Sequence, residues 1–513
     1  MAEHDAVVVG SGVNGLACAA LLAKAGWDVC VLERNDWFGG CIRTAELTEP
    51  GFRHDVFSAW HPLWVGGPVH PQLETDLARH GLEYVNTDLP TATAFPDGDS
   101  GFLLRTAEGN TRELGREWPD VLERFFPNAD LAFGVLGVEL WSRHGAALAW
   151  KAVRRLGRER ARQFAGELLV SARDWLESTF ASTNAHGVLA PWVLHTGLGP
   201  DAAASGYMAQ VIAVAVQEGG MPVPVGGGAR LADALVAFIR EQGGTCESAA
   251  HVERVFTGGV RVSGGETIGA RRAVVCNVTP TQLYGELLGG TPPPFRYGRS
   301  EMQIHFALSE PPRWLGDERL PRTAVVHLTP GLDGVSRAVN EAERGLLPAE
   351  ATVVVGQPLS LDPSRAPEGT GILWVQLQEL PWQVKGDAAG ELDVGDGTWS
   401  EDLRERYADR IQARIAKHVP NLESALLKRV ALSPADLWRA NVNLVRGDPY
   451  GGSLALDQNF LWRGSHRTPV KGVWHVGAST HPGPGLGGGS GALVAQQLLE
   501  PPLPKRLAAS LRL

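Results

Sequence analysis

The first forty residues constrain this chain more than any other stretch. Residues 6–10, Ala-Val-Val-Val-Gly, form a continuous apolar run closed by glycine. That is the pattern of a strand buried on both faces of a parallel sheet. Gly10, Gly12 and Gly15 then stand in GxGxxG spacing, and residues 16–25 (LACAALLAKA) contain no helix breaker before Gly26. Residues 28–32 (DVCVL) read as a second β-branched strand, with Glu33 directly behind. The order predicts a complete βαβ unit. Its glycines permit a tight turn, close backbone approach to a pyrophosphate and helix–strand packing, and the helix N-terminus supplies free N–H groups and a positive dipole end. Glu33, 18 residues after Gly15, is spaced to bond a ribose hydroxyl, with Arg34 beside it. A structural glycine turn is the alternative, and the ordered strand, turn, helix, strand and acid argue against it.

Glycine is otherwise abundant, 62 of 513 residues, but it is concentrated. Residues 10–15, 39–40, 219–228 and 477–491 hold 17 of the 62. The pair Gly39–Gly40 falls six residues after Glu33. Near the far end, residues 473–476 (VWHV) read as a buried strand, followed by a glycine-rich loop over 477–491 and a helix over 492–499 halted by Pro501-Pro502. A glycine loop ahead of a helix again presents bare N–H groups to a ligand.

These segments resemble those of the carotenoid (phytoene) desaturase-like FAD-dependent oxidoreductases. The far loop, with Gly477, Ala478, Thr480, His481, Pro482 and Gly483, resembles that family's C-terminal G-A-x-T-H-P-G signature and the Gly-rich turn after it, here Gly487 and Gly488. Residues 219–240 (GGMPVPVGGGARLADALVAFIR), 251–256 (HVERVF), 263–281 (SGGETIGARRAVVCNVTPT) and Gly51-Phe52-Arg53 fit further family segments. The nearest look is to a subgroup called pyridine nucleotide-disulfide oxidoreductase domain-containing protein 2. The resemblance implies FAD as the dinucleotide. The Gly39–Gly40 pair would pass against its diphosphate, the backbone near Val252 would meet the adenine, and the last helix would stabilise the reduced flavin. The family often has arginine after the glycine pair; here it is Cys41, with Arg43 two positions on. Flavin disulfide reductases carry two cysteines in this region, whereas Cys41 stands alone and position 46 is glutamate. A small buried thiol is the expectation for Cys41, a flavin thioether the alternative.

Charge and cysteine content bound the remaining classes. Lys+Arg 47 against Asp+Glu 57 gives a net charge of −10, which argues against a nucleic-acid partner. The five cysteines form no CxxC pair, so free thiols in a reducing compartment are expected. No export signal pattern or run of about 18 apolar residues is seen, and the cytoplasm is the expected location. The histidines have no ligand spacing, so no metal is expected.

The cofactor motifs lie in three blocks. The fold class expected is therefore α/β: a discontinuous Rossmann-like FAD-binding domain over 1–75, 220–290 and 440–513, with a mixed α+β substrate domain over 76–219 and 291–439. In the second insertion, residues 302–308, 324–328, 353–355 and 372–377 read as strands. Ser400 reads as the N-cap of a helix ending near Pro420, and 384–398 as an exposed loop. Residues 143–162 hold seven Arg/Lys against one acid. Trp150, Val153, Ala161, Phe164, Leu168 and Trp175 add apolar positions at helical spacing. Over 143–175 this reads either as a helix packed on the core with a solvated basic face or as a basic amphipathic helix in peripheral contact with an anionic membrane.

The chemistry expected is that of the flavin: a hydride taken from a C–H bond of an apolar substrate, polyene or isoprenoid by resemblance, onto N5, with oxygen or a quinone as the acceptor that reoxidises it. His481, Trp60 and Trp64 are the candidate residues beside the flavin, with ordinary core packing the better reading of each tryptophan and a packed, hydrogen-bonded ring at least as good a reading of His481. An amine-oxidase-like flavoenzyme, a non-catalytic flavin-binding regulatory protein and an isomerase using reduced flavin are the alternatives.

Overall fold

The computed structural model describes residues 2–500; the Pro501-Pro502 helix stop lies outside them. Strand Glu3–Val9, helix Val13–Lys24 and strand Val29–Leu32 form the expected opening unit. Ala6 and Val8 face one core and Val7 and Val9 another. The apolar run is continuous because both faces of this strand are covered. The helix is likewise apolar nearly all round, with ten of its twelve residues buried. Helices Ala229–Glu241 and Gly489–Leu499 pack against it. Burial of each large aliphatic side chain here contributes about 1.5–3 kcal/mol.

The first sheet has seven strands. Its parallel part runs Thr245–Glu247, Val29–Leu32, Glu3–Val9, Thr267–Asn277 and Val473–Val476. In chain order that is 3-2-1-4-5, a doubly wound sheet whose order reverses between Glu3–Val9 and Thr267–Asn277. Ligands of such sheets bind outside the strands' C-terminal ends at that reversal. The antiparallel hairpin Val252–Phe256 and Gly259–Val262 extends the sheet beyond the N-terminal half of Thr267–Asn277.

The second sheet also has seven strands, in the order Leu426–Leu432, Ser300–Leu308, Gly371–Leu380, Val353–Gly356, Val325–Leu328, Thr91–Ala94 and Ser100–Leu103. Only Thr91–Ala94 and Val325–Leu328 pair in parallel. Met302, Ile304, Phe306, Leu373 and Val375 cover one face together with Leu403, Tyr407, Ile411 and Ile415 of helix Glu401–Ala416. Ser400 caps that helix, accepting from the Leu403 N–H. Helices between Ala107 and Gly219 build a further core around Trp118, Trp175 and Val211.

One local reading gains detail, residues 384–398 being mostly exposed and irregular as expected but tied down, and another changes. Residues 384–398 are anchored: Gly386–Asp387 pairs with Leu346–Leu347, and Asp387 takes a bidentate ion pair from Arg410. The basic segment is two helices, Arg143–Leu156 and Arg158–Glu167, broken at Gly157 with φ +79°. Lys151 and Arg155 pair with Asp130, Arg143 with Glu500, Arg160 with Glu167 and Arg162 with Glu159. Acids distant in sequence neutralise much of a charge run that the linear pattern leaves unpaired. Trp175 and Leu168 are buried, whereas Trp150 is 67% exposed.

Candidate active site

A cavity of about 1870 Å³ opens at the reversal point of the first sheet and extends to the cavity-facing side of the second. Ligand pockets commonly measure about 300–1,000 Å³, so the space is large enough for a dinucleotide and a second molecule together. Gly10, Gly12, Glu33, Arg34, Gly39, Gly40, Val252, Gly477, Ala478 and Gly487 all line it, brought together from the two ends and the middle of the chain.

Close backbone contacts explain several of these glycines. Gly15 does not line the cavity; a Cβ there would stand 2.5 Å from the Gly10 carbonyl oxygen and 3.0 Å from the Asn277 Cβ. Its role is to let the helix meet the strand turn. Gly40, with φ +60°, lies where a Cβ would stand 3.1 Å from the Gly12 Cα. The two glycine turns therefore touch through backbone, and the Gly39 N–H bonds both the Ser11 carbonyl (3.2 Å) and the Ser11 Oγ (3.1 Å). Gly488 also sits outside the lining, packed on Ala17, Val69 and Trp64.

Glu33 is buried and holds the first turn in place. Its Oε2 accepts from the Ser11 N–H (2.9 Å) and Oγ (2.7 Å), and its Oε1 from the Asn35 N–H (2.9 Å). The helices starting at Val13 and Gly489 have no side-chain cap. Residues of both first turns, Val13 and Asn14 in one and Gly489 and Ser490 in the other, line the cavity. Two helix N-termini thus face the same space, the Gly491 N–H of the second donating to Asn14 Oδ1 of the first at 3.5 Å, an arrangement suited to an anionic diphosphate and to a ring that gains negative charge. On that observation the residues present fit FAD.

The remainder of the cavity is largely apolar. Trp60, Trp192, Met208, Val211, Ile212, Val325, Val354 and Trp374 line it. Trp60 meets Trp374 edge to face at 5.2 Å, and Trp192 stacks on His195 at 4.6 Å. Burial lowers His195 to about 4, so its ring is neutral at physiological pH. Trp64 is fully buried away from the cavity. His481 does not line it either: the ring is buried and its Nδ1 pairs with the Phe460 carbonyl at 3.0 Å. Cys41 does line it, beside Asn441, whose amide donates to the sulfur at 3.4 Å. Burial, with Glu301 nearby, pushes the Cys41 thiol up to about 12. No other cysteine lines the cavity beside Cys41, so dithiol chemistry has no partner at this site.

Sequence reasoning missed Asn277, Glu301, Gln378, Asn441 and Tyr450, all lining residues. Asn277 ends a strand inside a quoted family segment and could have been found there. Glu301 and Gln378 lie in strands of the second sheet, where no local motif marks them.

The family model described as an NAD(P)-binding Rossmann-like domain matches residues 8–73. Pyridine nucleotide-disulfide oxidoreductase domain-containing protein 2 of Rattus norvegicus is 25% identical, over 95% of this chain and 92% of its own length. The zeta-carotene-forming phytoene desaturase of Myxococcus xanthus is 28% identical, over 94% of this chain and 90% of its own length. An oxidoreductase from Methanosarcina mazei has the same fold, with a TM-score of 0.59 at 15% identity over 96% of this chain and 99% of its own.

Proposed function

We propose, from the premise that this chain is an FAD-dependent oxidoreductase homologous to the phytoene desaturases, that it oxidises an apolar small molecule at a C–H bond. The observation carrying this reading is the single cavity that joins the glycine turns to a chamber walled by Trp60, Trp192, Met208 and Trp374. Bound FAD supplies a two-electron acceptor for the hydride. The chain's own work is to hold and shield. Gly10, Gly12, Glu33, Arg34, Gly39, Gly40 and Val252 hold the adenosine and diphosphate, and the start of helix Gly489–Leu499 stabilises negative charge beyond them. The apolar walls exclude water and orient the substrate. In this division the three-segment part (1–75, 220–290, 440–513) carries the cofactor and the two insertions shape the substrate chamber. Oxygen or a quinone reoxidises the enzyme.

The cavity's rim supports delivery from a lipid surface. Leu63, Phe126, Phe133 and Leu499 line the cavity and are 40% exposed or more. Nearby, Trp141 is 73% exposed and stacks on Trp462 at 4.9 Å. The helix bearing Phe133 is tied through Asp130 to Lys151 and Arg155 of the basic segment. In that segment the exposed Arg154 and Arg158 form no ion pair among the described residues, and exposed aromatics beside such cations suit an anionic interface. No helix among the described residues is long and apolar enough to cross a membrane.

Anaerobic reduction tests the function. Purified protein carries flavin absorbance, and extracts fractionated into polyenes, amines and lipids are added without oxygen. Bleaching by an apolar fraction is the expected result. Protein without flavin, or flavin that no fraction bleaches, refutes it.

A further inference from the structure

One end of the chamber is not apolar. Glu301, Gln378 and Tyr450 line the cavity and are 5%, 2% and 6% exposed. Glu301 Oε1, Gln378 Oε1 and the Tyr450 hydroxyl have no hydrogen-bond partner. Buried polar atoms in folded proteins are nearly always paired, and leaving one unpaired costs about 1–3 kcal/mol. Three side chains that line one cavity thus each keep a polar atom that the protein leaves unpaired.

The backbone brings them together. Strands Ser300–Leu308 and Gly371–Leu380 pair Ser300 with Leu380 and Met302 with Leu377, so Gln378 and Glu379 stand opposite Glu301 alone. This bulge re-aims side chains. Glu379 accepts from the Thr352 N–H, while Glu301 and Gln378 line the cavity. Cys41 is close enough for Glu301 to raise its thiol, so the polar end adjoins the second glycine turn.

Burial, and then Asp448, raises Glu301 well above the ordinary carboxyl value. Asp448 is itself occupied by the N–H groups of Gly298, Tyr450 and Gly452. Glu301 therefore has carboxyl capacity that the protein does not use.

We propose that Glu301, Gln378 and Tyr450 bind the hydrogen-bond-donating head group, a hydroxyl or an amine, of a substrate whose remaining body is apolar. A bare hydrocarbon leaves the orphans unpaired and is the poorer ligand. This rests on the oxidoreductase reading above and narrows its substrate class.

The test uses purified holoprotein and three probes of equal length: 1-octanol, n-octylamine and 1-octene. Binding is followed by perturbation of the visible flavin spectrum and by thermal shift. A head-bearing probe binds at least about ten-fold tighter than 1-octene. Glu301→Leu brings that preference below about two-fold, with flavin content and 1-octene affinity unchanged. Glu301→Gln, nearly isosteric, distinguishes the sources: octylamine weakens if the head is an ammonium, and octanol is retained if it is a hydroxyl. Equal binding of the three probes, no binding of either head-bearing probe, or a preference that survives both Glu301→Leu and Gln378→Leu overturns the proposal. Loss of flavin from both Glu301 variants overturns it too, by assigning the carboxyl to the cofactor. None of these results touches the oxidoreductase reading, which falls only with absent or irreducible flavin.

Discussion

Replacing Arg365 by methionine tests how the cofactor turns are braced against the substrate sheet. Arg365 is fully buried. Its Nη1 donates to Asp55 Oδ2 at 2.7 Å, its Nε to Asp362 Oδ2 at 2.6 Å, and its Nη2 to the Pro224 carbonyl at 3.1 Å. Asp55 in turn accepts from Thr44 Oγ1 and the Gly228 N–H, and Asp362 from the Gly226 N–H. One guanidinium thus joins the hairpin after Gly39–Gly40, the 222–229 turn and the segment before strand Gly371–Leu380. Methionine fills similar volume but leaves two buried carboxylates without their cation, a loss of about 3–5 kcal/mol. At about 2.1 cal/mol/K per residue a chain of 513 residues loses about 1 °C per kcal/mol, so melting falls by roughly 3–5 °C.

The pH dependence has a definite sign. Burial, the largest influence on Asp362, raises it, but bonds from Ser364, Gly226 and Arg365 together bring it below the ordinary carboxyl value. A depressed folded value contributes stability above the unfolded value, near about 4, and loses it as pH falls. Without Arg365 burial prevails at Asp362, its folded value rises, and acidification relieves the variant by protonating that orphan. The melting gap between wild type and Arg365→Met is therefore widest near neutral pH and narrows toward about pH 5. Adding Asp55→Asn removes one orphan charge, so the double variant melts above Arg365→Met. Thermal melting followed by tryptophan fluorescence reads all three proteins. A gap independent of pH, or a double variant no more stable than the single, refutes the reasoning.

Two further outcomes follow from particular residues. With its thiol at about 12, Cys41, half-buried in the cavity wall, stays protonated at pH 8 and resists iodoacetamide; mass spectrometry that finds it rapidly alkylated in the native protein contradicts the raised thiol. Protein co-sediments with anionic vesicles at low salt and releases with added salt, and Trp141→Ser weakens this several-fold; absence of anionic-lipid binding in the native protein removes the membrane contact.

Much of the cofactor half was legible because its constraints are local. A strand covered on both faces must read as an unbroken apolar run, as Ala6 to Val9 does. Gly15 and Gly40 are required by backbone contacts within a few residues or between two short turns. The positions of Gly488 and His481 were not legible: their motif set them near the cavity, but which way each faces depends on what packs behind them. For Gly488 that is Ala17, Val69 and Trp64, and for His481 it is the Phe460 carbonyl. The basic segment is not one helix because Gly157 adopts positive φ, and its charge excess is smaller than the linear count because Asp130 and Glu500 arrive from elsewhere in the chain.

By itself, then, the sequence determined the dinucleotide turn, the order of its strands and helix, and the resemblance that brings FAD. Each rests on residues whose spacing is set by covalent connection and helical or strand period. The substrate end was decided only by the tertiary structure. Glu301, Gln378 and Tyr450 lie up to 149 positions apart, and no periodicity links them. A strand bulge and the closing of one sheet face against the glycine turns bring them to a single cavity. Whether a buried carboxyl is paired or left for a ligand depends on neighbours supplied by the whole fold.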